Sequence, residues 1–386
     1  MLIFLEYLRP EYAPMIKTDC IHFPLDRPCR PQKERGITCA ACRDYVPVRS
    51  SRKKHSDILI VKIGAMGDVL RSTFLLPGIK AKYPAARIHW IVAPQSTAIL
   101  EGNPYLHRII PMNRAVFDIL AADVFERVIN LDLSPESLSL ATLAMGKKTG
   151  FYLDSRRRIV CSNAAARHWL EMSALDDKKK ANIRTYQYWM ANITGLPRAD
   201  YEIYTPLAKQ SVATAAVFAR QNRLRGKIVV GINPGAGNRW RLKKWTDEGY
   251  AEIIRRLIKR GNKVLLLGGP EEKGLIAKLV RRSGGKAIST GTQNSLHDFF
   301  AFLNLCDTLV AGDTLAMHAA LGLKKKVVAI FGPTSSVEIE MYGRGEKVVS
   351  PASCACCYRP SCTVQPDCMQ LIHPDAVWSA IERVEQ

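Results

Sequence analysis

The stretch DILIVKIGAMGDVLRST, Asp57 to Thr73, decides how this chain folds. It opens with a short run of β-branched and apolar residues, which is typical of a buried parallel strand. From Val69 onward the apolar residues take helical spacing. The residues between, Gly64 to Asp68, therefore form a strand-to-helix turn. In open α/β sheets such turns lie where ligands bind, and glycines at 64 and 67 let the backbone approach a ligand closely.

The same turn excludes two common nucleotide sites. The run Gly64-Ala65-Met66-Gly67-Asp68 lacks the third glycine of G-x-G-x-x-G, and it lacks the Gly-Lys-Ser/Thr ending of a P-loop. Two interpretations of Asp68 stay open at this point. An aspartate here is consistent with a helix N-cap, and equally with a carboxylate that accepts a proton from an incoming hydroxyl.

The length and the charge of the chain limit the functions that it can have. The chain has 386 residues, of which 47% are hydrophobic, and is long enough for a sizeable core and two domains. Lys and Arg number 56 against 35 Asp and Glu, for a formal net charge of +21. This charge predicts an anionic partner: a phosphorylated substrate, a membrane surface or a nucleic acid. No apolar run reaches the roughly 18 residues of a spanning helix, and no signal peptide is evident, so we expect a cytoplasmic protein.

The pattern of strands and helices divides the chain into three parts. Residues 1–56 are rich in Pro, Cys and Arg and end in the basic linker RSSRKKHSD, which indicates an accessory Cys-rich segment. Residues 57–210 and 211–386 each alternate strands with helices, which predicts parallel sheets with right-handed crossovers. The third part also carries a Cys-rich loop and a terminal helix. We therefore predict an α/β protein of GT-B architecture, two Rossmann-like domains facing each other across a cleft.

A second turn with suitable chemistry lies in GINPGAGNRWRLKKW, residues 231–245. Gly235 and Ala236 belong to a glycine-rich turn after an apolar strand, and Lys243 and Lys244 add positive charge, which suits a diphosphate. A solvated basic loop would have the same composition. The flanking tryptophans argue against it, because bulky aromatic side chains usually pack or stack.

A third turn lies in LVAGDTLAMHAALG, residues 309–322. A phosphate is expected to sit against the free amides of the helix that begins there, with the Thr314 hydroxyl as a further donor. His318 lies one turn deeper on the same face and is consistent with either a structural or a functional role. Asp313 is also consistent with a helix cap.

Five stretches, taken in order, resemble a known family. ILIVKIGAMGDVLRST, NPGAGNRWRLKKW, LLLGGPEEK, GDTLAMHAALG and VVAIFGPT resemble motifs of the bacterial ADP-heptose heptosyltransferases of glycosyltransferase family 9. The resemblance covers residue 57 to the end of the chain. It implies an inverting glycosyltransferase that moves heptose from ADP-heptose to a lipopolysaccharide inner-core acceptor.

The resemblance also assigns roles to residues. Asp68 matches the aspartate regarded as general base, and Lys243 matches a lysine that contacts the donor phosphates, with Lys244 as a substitute. Glu272, or the adjacent Glu271, matches the acidic residue near the nucleotide ribose. The family element Asp-Thr-Gly-x-x-His, which holds the donor, is matched by Asp313, Thr314 and His318. Leu315 replaces the glycine of that element, and a bulky residue there is expected to narrow the donor pocket or shift the helix start.

The implied reaction predicts the partners. Gly64 and Gly67 let the acceptor reach the turn that carries Asp68, while fixed positive charge on the other domain stabilises the leaving diphosphate, so we expect no cofactor in catalysis. Cations at 147–148, 156–158 and 178–180 are consistent with a solvated face. They also suit docking of a phosphorylated glycolipid at the anionic inner face of the inner membrane.

Two groups of cysteines predict metal binding, because in a reducing cytoplasm such groups are more often metal ligands than disulfides. We expect structural zinc, with iron as the alternative, and neither group falls in the cleft motifs. The other interpretation is reduced, packed thiols. The candidate ligands are Cys20, Cys29, Cys39 and Cys42 in the first group and Cys354, Cys357, Cys362 and Cys368 in the second.

Other functions remain open from the sequence. Within enzymes, the acceptor is alternatively a protein or another glycan. An alternative of a different class is a basic Cys-rich protein that binds nucleic acid. Such a protein would bind oligonucleotides in a salt-sensitive manner and would not turn over a nucleotide sugar. Against it, the basic residues are spread out without interleaved exposed aromatics, and we expect no nucleic-acid partner. A family member that binds donor without catalysis is disfavoured by the presence of Asp68 and Lys243.

Overall fold

The structure, a computed structural model, describes residues 16–24, 26–47, 56–196, 200–359 and 361–386, without the side chains at 238 and 239. The chain forms two compact units, Met1–His55 and Ser56–Gln386. Most of the basic linker lies outside the described residues. The domain bounds at 56 and 210 stay predictions.

The larger unit contains a first sheet of six strands in the order β3-β2-β1-β4-β5-β6. Its first five strands run parallel, and β6 pairs antiparallel with β5. Buried Ile and Val side chains on both faces of β1 explain why the strand reads as a continuous apolar run. The strands are β1 (Asp57–Val61), β2 (Arg87–Val92), β3 (Leu106–Pro111), β4 (Val124–Asn130), β5 (Met145–Leu153) and β6 (Ile159–Cys161).

The second sheet of this unit also has six strands, in the order β12-β11-β10-β7-β8-β9, all parallel. In both sheets the strand order thus changes direction beside the first strand of the sheet. This is the doubly wound Rossmann order. The strands are β7 (Val229–Asn233), β8 (Lys263–Leu266), β9 (Ile288–Ser289), β10 (Thr308–Gly312), β11 (Lys326–Phe331) and β12 (Gly345–Val349).

Helices cover both sheets, and their apolar residues form the cores. In the first half they are α2 (Met66–Ser72), α3 (Leu75–Lys82), α4 (Thr97–Leu100), α5 (Ala115–Ala122), α6 (Pro135–Leu143), α7 (Ala164–Ala174), α8 (Asp176–Lys180) and α9 (Tyr186–Thr194). In the second half they are α10 (Lys209–Gln221), α11 (Asp247–Lys259), α12 (Lys273–Arg282), α13 (Leu296–Asn304), α14 (Leu315–Gly322) and α15 (Pro374–Glu385).

The predicted fold class is confirmed, down to most strands of both sheets. The helical pattern predicted from Val69 onward belongs to two helices, because the chain bends between α2 and α3. The sequence pattern did not predict β5, β6 or β12. All three lie at or next to a sheet edge and lack a continuous buried apolar run.

The smaller unit has little regular structure in its described part. Helix α1 (Arg30–Arg35) ends at Gly36, whose φ of +65° suits glycine. An isolated bridge pairs Cys20 with Pro47.

Candidate active site

A cleft of about 1390 Å³ is lined by residues from both halves of the larger unit. Asp68 follows β1 of the first sheet, whereas Lys243 and Asp313 follow β7 and β10 of the second. These strands flank the point where each strand order reverses. Ligands of doubly wound sheets bind at that reversal. The predicted residues that line this cleft are Gly64, Gly67, Asp68, Lys243, Asp313, Thr314 and His318.

Asp132, which follows β4, fixes the backbone of the turn before Asp68. Its Oδ2 accepts hydrogen bonds from the amides of Ile63 at 2.6 Å and Gly64 at 2.9 Å. Its Oδ1 accepts one from the buried Lys62 ammonium. Burial opposes the charge of Lys62, but the Asp132 carboxylate together with Tyr186 and Asp68 outweighs it and raises the Lys62 pKa. The turn is therefore held at three points by one carboxylate.

Asp68 lies in the first turn of α2 with its side chain 38% exposed in the cleft. The alternative that Asp68 is an N-cap is wrong, because the N-cap position is Ala65. Burial favours the neutral acid, but the charges of Arg71 and Lys62 prevail and lower the Asp68 pKa to about 2. Asp68 is therefore a carboxylate at neutral pH, the form that a proton acceptor requires.

Arg71 is a cleft residue that was not predicted from the sequence. Its guanidinium lies 2.9 Å from Asp68, 3.9 Å from Glu338 and 3.8 Å from the centroid of the Tyr186 ring. The spacing of three residues on one helix would have indicated the pair with Asp68. Glu338 carried no such signal, since it is far along the chain. Its pKa is raised by burial, although Arg71 opposes the shift.

Lys243 and Asp313 lie on the side of the cleft formed by the second half. The Lys243 ammonium donates to Asp313 Oδ2 at 2.8 Å and to the Asp313 carbonyl at 3.3 Å. The N-cap position of α14 is Thr314, so the interpretation of Asp313 as a cap is wrong. Thr314 donates its hydroxyl to Asn233 Oδ1 at 3.2 Å. Leu315 begins α14 directly and lines the cleft, where it takes up room that a glycine would leave.

His318 is a neutral imidazole between the two halves. Burial and the nearby Arg71 charge lower its pKa to about 4, against the opposing effect of Asp313. Its Nε2 lies 4.0 Å from Asp313 Oδ1. Its ring faces Gly67 of the first half. This position gives His318 contacts with both sides of the cleft.

The remaining predicted donor residues line a second cavity, of about 580 Å³: Gly235, Ala236, Lys244 and Glu272. Glu272 Oε2 accepts a hydrogen bond from the Gly269 amide at 2.8 Å, and its carboxyl group packs on Gly235, where a Cβ would clash. Lys244 pairs with Asp247 at 2.8 Å and does not line the cleft that contains Lys243.

The cleft is also lined by Trp169 and Tyr358, which carried no sequence signal, and by Lys179 from the predicted cationic run 178–180. Trp169 and Lys179 come from α7 and α8, and Tyr358 comes from the Cys-rich loop. The Lys179 ammonium lies 4.3 Å from the Tyr358 ring centroid, and Tyr358 accepts a hydrogen bond from the Ser335 amide at 3.1 Å. Among the described residues that line this cleft there is no cysteine of the second group, although Tyr358, which directly follows Cys357, does line it.

The two cysteine groups differ in placement. Cys20, Cys29, Cys39 and Cys42 line one cavity in the smaller unit. In the larger unit, Cys368 Sγ packs on Gly332 at the end of β11. Within the described residues, no three His, Cys, Asp or Glu side chains are arranged as ligands of one metal ion. Zinc and iron stay predictions.

Comparison with known proteins identifies the family. The model of glycosyltransferase family 9 (heptosyltransferase) matches residues 114–367. The chain belongs to this family. It is therefore a glycosyltransferase. Lipooligosaccharide heptosyltransferase 2 of Haemophilus ducreyi is 23% identical over 72% of this chain and 84% of its own length.

Solved structures show that the fold is that of other family 9 proteins. The glycosyltransferase family 9 protein of Veillonella parvula aligns with a TM-score of 0.71 at 18% identity, over 85% of this chain and 97% of that one. The E. coli heptosyltransferase WaaC with ADP-2-deoxy-2-fluoro heptose aligns with a TM-score of 0.57 at 19% identity, over 85% and 99%. Among the helices of this family 9 protein that the structure describes, none is long and apolar enough to cross a membrane.

Proposed function

We propose that the protein is an inverting heptosyltransferase that transfers heptose from ADP-heptose to a lipopolysaccharide inner-core acceptor. The observation that carries the proposal is the single cleft lined by Asp68 from one half and by Lys243, Asp313 and Thr314 from the other. The name of the Haemophilus relative and the donor analogue bound to the E. coli neighbour support the choice of sugar and acceptor.

Asp68 is the proposed general base. An acceptor hydroxyl oxygen attacks the anomeric carbon of heptose, its proton passes to the Asp68 carboxylate, and the bond from that carbon to the diphosphate oxygen breaks. The ion pair with Arg71 fixes the carboxylate on the α2 face of the cleft. The products are the glycosylated acceptor and ADP.

Lys243 and the first turn of α14 are the proposed site for the donor diphosphate. Asp313 holds two donor positions of the Lys243 ammonium and so orients the third. The amides at the start of α14 add fixed donors beside it, and the Thr314 hydroxyl becomes a further donor when it turns from Asn233 Oδ1 to the phosphate. Charge that develops on the leaving diphosphate is stabilised by these preorganised groups. In the second cavity, Glu272 is the proposed partner of the nucleotide ribose.

Lys179 and Trp169 are proposed to face the acceptor. They lie on α7 and α8 of the half that carries Asp68, and the positive charge of Lys179 suits a phosphorylated glycolipid. Contact with an anionic membrane surface stays a prediction for the other basic clusters. Two of those cations already have partners, because Arg158 pairs with Asp154 at 2.7 Å and the Lys148 ammonium donates to the Ala144 carbonyl.

The test is Asp68→Asn with Asp118→Asn, an exposed aspartate on α5, as the matched control. We expect Asp68→Asn to lower kcat by about 10²- to 10⁴-fold, the usual contribution of a general base. ADP-heptose should still raise the melting temperature of both variants. Activity of Asp68→Asn at the wild-type level would overturn the assignment of the base. Stabilisation by UDP-sugars in place of ADP-sugars would overturn the donor, and turnover only with a peptide acceptor would favour the protein-acceptor alternative.

A further inference from the structure

The described part of the smaller unit lacks an apolar core. Among residues 16–24 and 26–47, Pro31 alone is buried. Three of its large apolar side chains face solvent, since Ile16, Ile21 and Val46 are each more than two-fifths exposed. A segment this short cannot bury enough apolar surface to order itself, and such segments usually depend on a metal or on disulfides.

Four cysteines occupy the interior instead. Cys20, Cys29, Cys39 and Cys42 are all partly buried free thiols, and all four line one cavity of about 330 Å³. They come from three separate stretches of this segment. A shared cavity is therefore a consequence of how the segment folds, not of adjacency in sequence.

The backbone of the segment brings these stretches together. The Ile21 amide donates to the Val46 carbonyl at 2.9 Å, which joins the two ends of the described segment beside Cys20. The Ala41 amide donates to the Thr38 carbonyl at 3.1 Å, which places Cys39 and Cys42 on one tight turn. Two cysteines on such a turn, with two more from outside it, form the usual ligand set of a structural zinc site.

We propose that Cys20, Cys29, Cys39 and Cys42 bind one zinc ion as four thiolates, and that this ion takes the place of an apolar core. Binding releases one proton from each thiol and leaves a Zn(Cys)₄ centre of net charge −2. The Lys17 side chain lines the same cavity, 4.0 Å from the centroid of the Tyr45 ring, and supplies compensating positive charge. The thiols are not yet at ligand spacing, and zinc binding would draw them to the Zn–S distance of about 2.3 Å.

His22 tests the ligand set, because it lines the same cavity. A four-thiolate site leaves it outside the coordination sphere. The His22→Asn variant should therefore keep the metal that the cysteine variants lose. Loss of the metal from His22→Asn would overturn the four-thiolate assignment.

The experiment measures zinc and iron by elemental mass spectrometry in the full-length protein, purified without metal supplements. The variant with Cys20, Cys29, Cys39 and Cys42 changed to Ser should lose about one zinc equivalent per chain relative to wild type. The matched control changes Cys354, Cys357, Cys362 and Cys368 to Ser and should keep that equivalent. An equal zinc content in wild type and the first variant overturns the proposal, as does an iron content in place of zinc.

A second measurement does not depend on the folding of a fourfold variant. Wild-type protein is denatured without reductant, alkylated and digested, and the four thiols are expected in the alkylated, reduced form. Disulfides among them would overturn the proposal. In Cd²⁺-exchanged protein, Cys42→Ser alone should weaken the thiolate-to-metal charge-transfer absorption, whereas unchanged absorption would contradict it.

Discussion

Gly67, in the first turn of α2, lies against the ring of His318 on α14. A Cβ at position 67 would stand 3.1 Å from His318 Cδ2 and 3.8 Å from the Leu315 Cα. This contact brings the turn that carries Asp68 directly against the helix whose start is proposed to bind the donor. The two halves of the cleft therefore meet at a position where only glycine fits without displacement.

We expect Gly67→Ala to reduce kcat/KM by about tenfold, since small misplacements of reacting groups have large kinetic effects. Stability should change little, because the preference for alanine over glycine within a helix offsets the small displacement of the His318 ring. The check is steady-state kinetics beside a melting curve. The control is Gly274→Ala on α12, where a Cβ meets nothing within 4 Å. Full activity of Gly67→Ala would show that the contact does not constrain the cleft.

Lys243 and Lys244 are adjacent but have different surroundings, and this makes them a matched pair. Lys243→Ala should lower kcat/KM by about 10²- to 10³-fold, as removal of one charge-stabilising donor typically does. Lys244→Ala should lower it far less, because Lys244 pairs with Asp247 and lines the second cavity, not the cleft that contains Lys243. Both variants are assayed for ADP release. Equal losses in the two would refute the assignment of the phosphate lysine.

Gly235 packs under the carboxyl group of Glu272, with a would-be Cβ only 2.3 Å from Glu272 Cδ. Gly235→Ala must displace this carboxyl group from its bond with the Gly269 amide. We expect an increase of about tenfold in the donor KM with little change in kcat, since the interaction is uniform through the reaction. Gly274→Ala serves again as control. An unchanged donor KM would remove Glu272 from the nucleotide site.

Arg71 should control the pH at which Asp68 loses its charge. Burial alone raises the pKa of Asp68, and Arg71 is the strongest of the charges that lower it to about 2. In Arg71→Gln the acid limb of kcat/KM should therefore move upward by about one unit or more, and Arg71→Lys should restore part of the shift. The exposed Arg156→Gln is the control. If the acid limb of kcat/KM is the same in Arg71→Gln and the wild type, Arg71 does not set the pKa of Asp68 and has only a structural role.

The lowered pKa of His318 predicts that the protein becomes less stable on mild acidification. Its pKa is about 4 in the folded protein and 6.5 as the ordinary value, so the unfolded chain binds the proton more readily. Stability from the neutral ring is complete above about pH 6.5 and is lost as the pH falls toward 4. Between pH 7 and 4.5 the melting temperature of His318→Asn should fall by several degrees less than that of the wild type. His89, whose pKa burial also lowers, leaves a residual slope.

The exposed His107→Asn is the control for that measurement. Asp68 and Asp313 do not interfere, because nearby positive charges lower the pKa of both carboxyl groups. Glu338, whose pKa burial raises, contributes a slope of opposite sign to both proteins, so the comparison is made between the two melting profiles. If the wild type and His318→Asn have parallel melting profiles from pH 7 to 4.5, the buried imidazole is not the group that titrates.

The sequence by itself determined the elements and the chemistry of three turns. Strands such as β1 and β7 are buried on both faces, and helix α11 has one apolar stripe, so their patterns follow from local burial. The same pattern locates the turns after β1, β7 and β10, because each turn begins where an apolar run ends. The glycines and charged residues of these turns can therefore be identified from the sequence.

Only the tertiary structure decided which of these groups meet. The pairing of Lys243 with Asp313, the contact of Gly67 with His318 and the position of Arg71 between Asp68 and Glu338 join residues far apart in the chain. The order of strands in two sheets sets these distances, and no local pattern encodes it. The cavity shared by the first four cysteines has the same origin, since spacing fixes neighbours within a turn, whereas packing decides which turns come together.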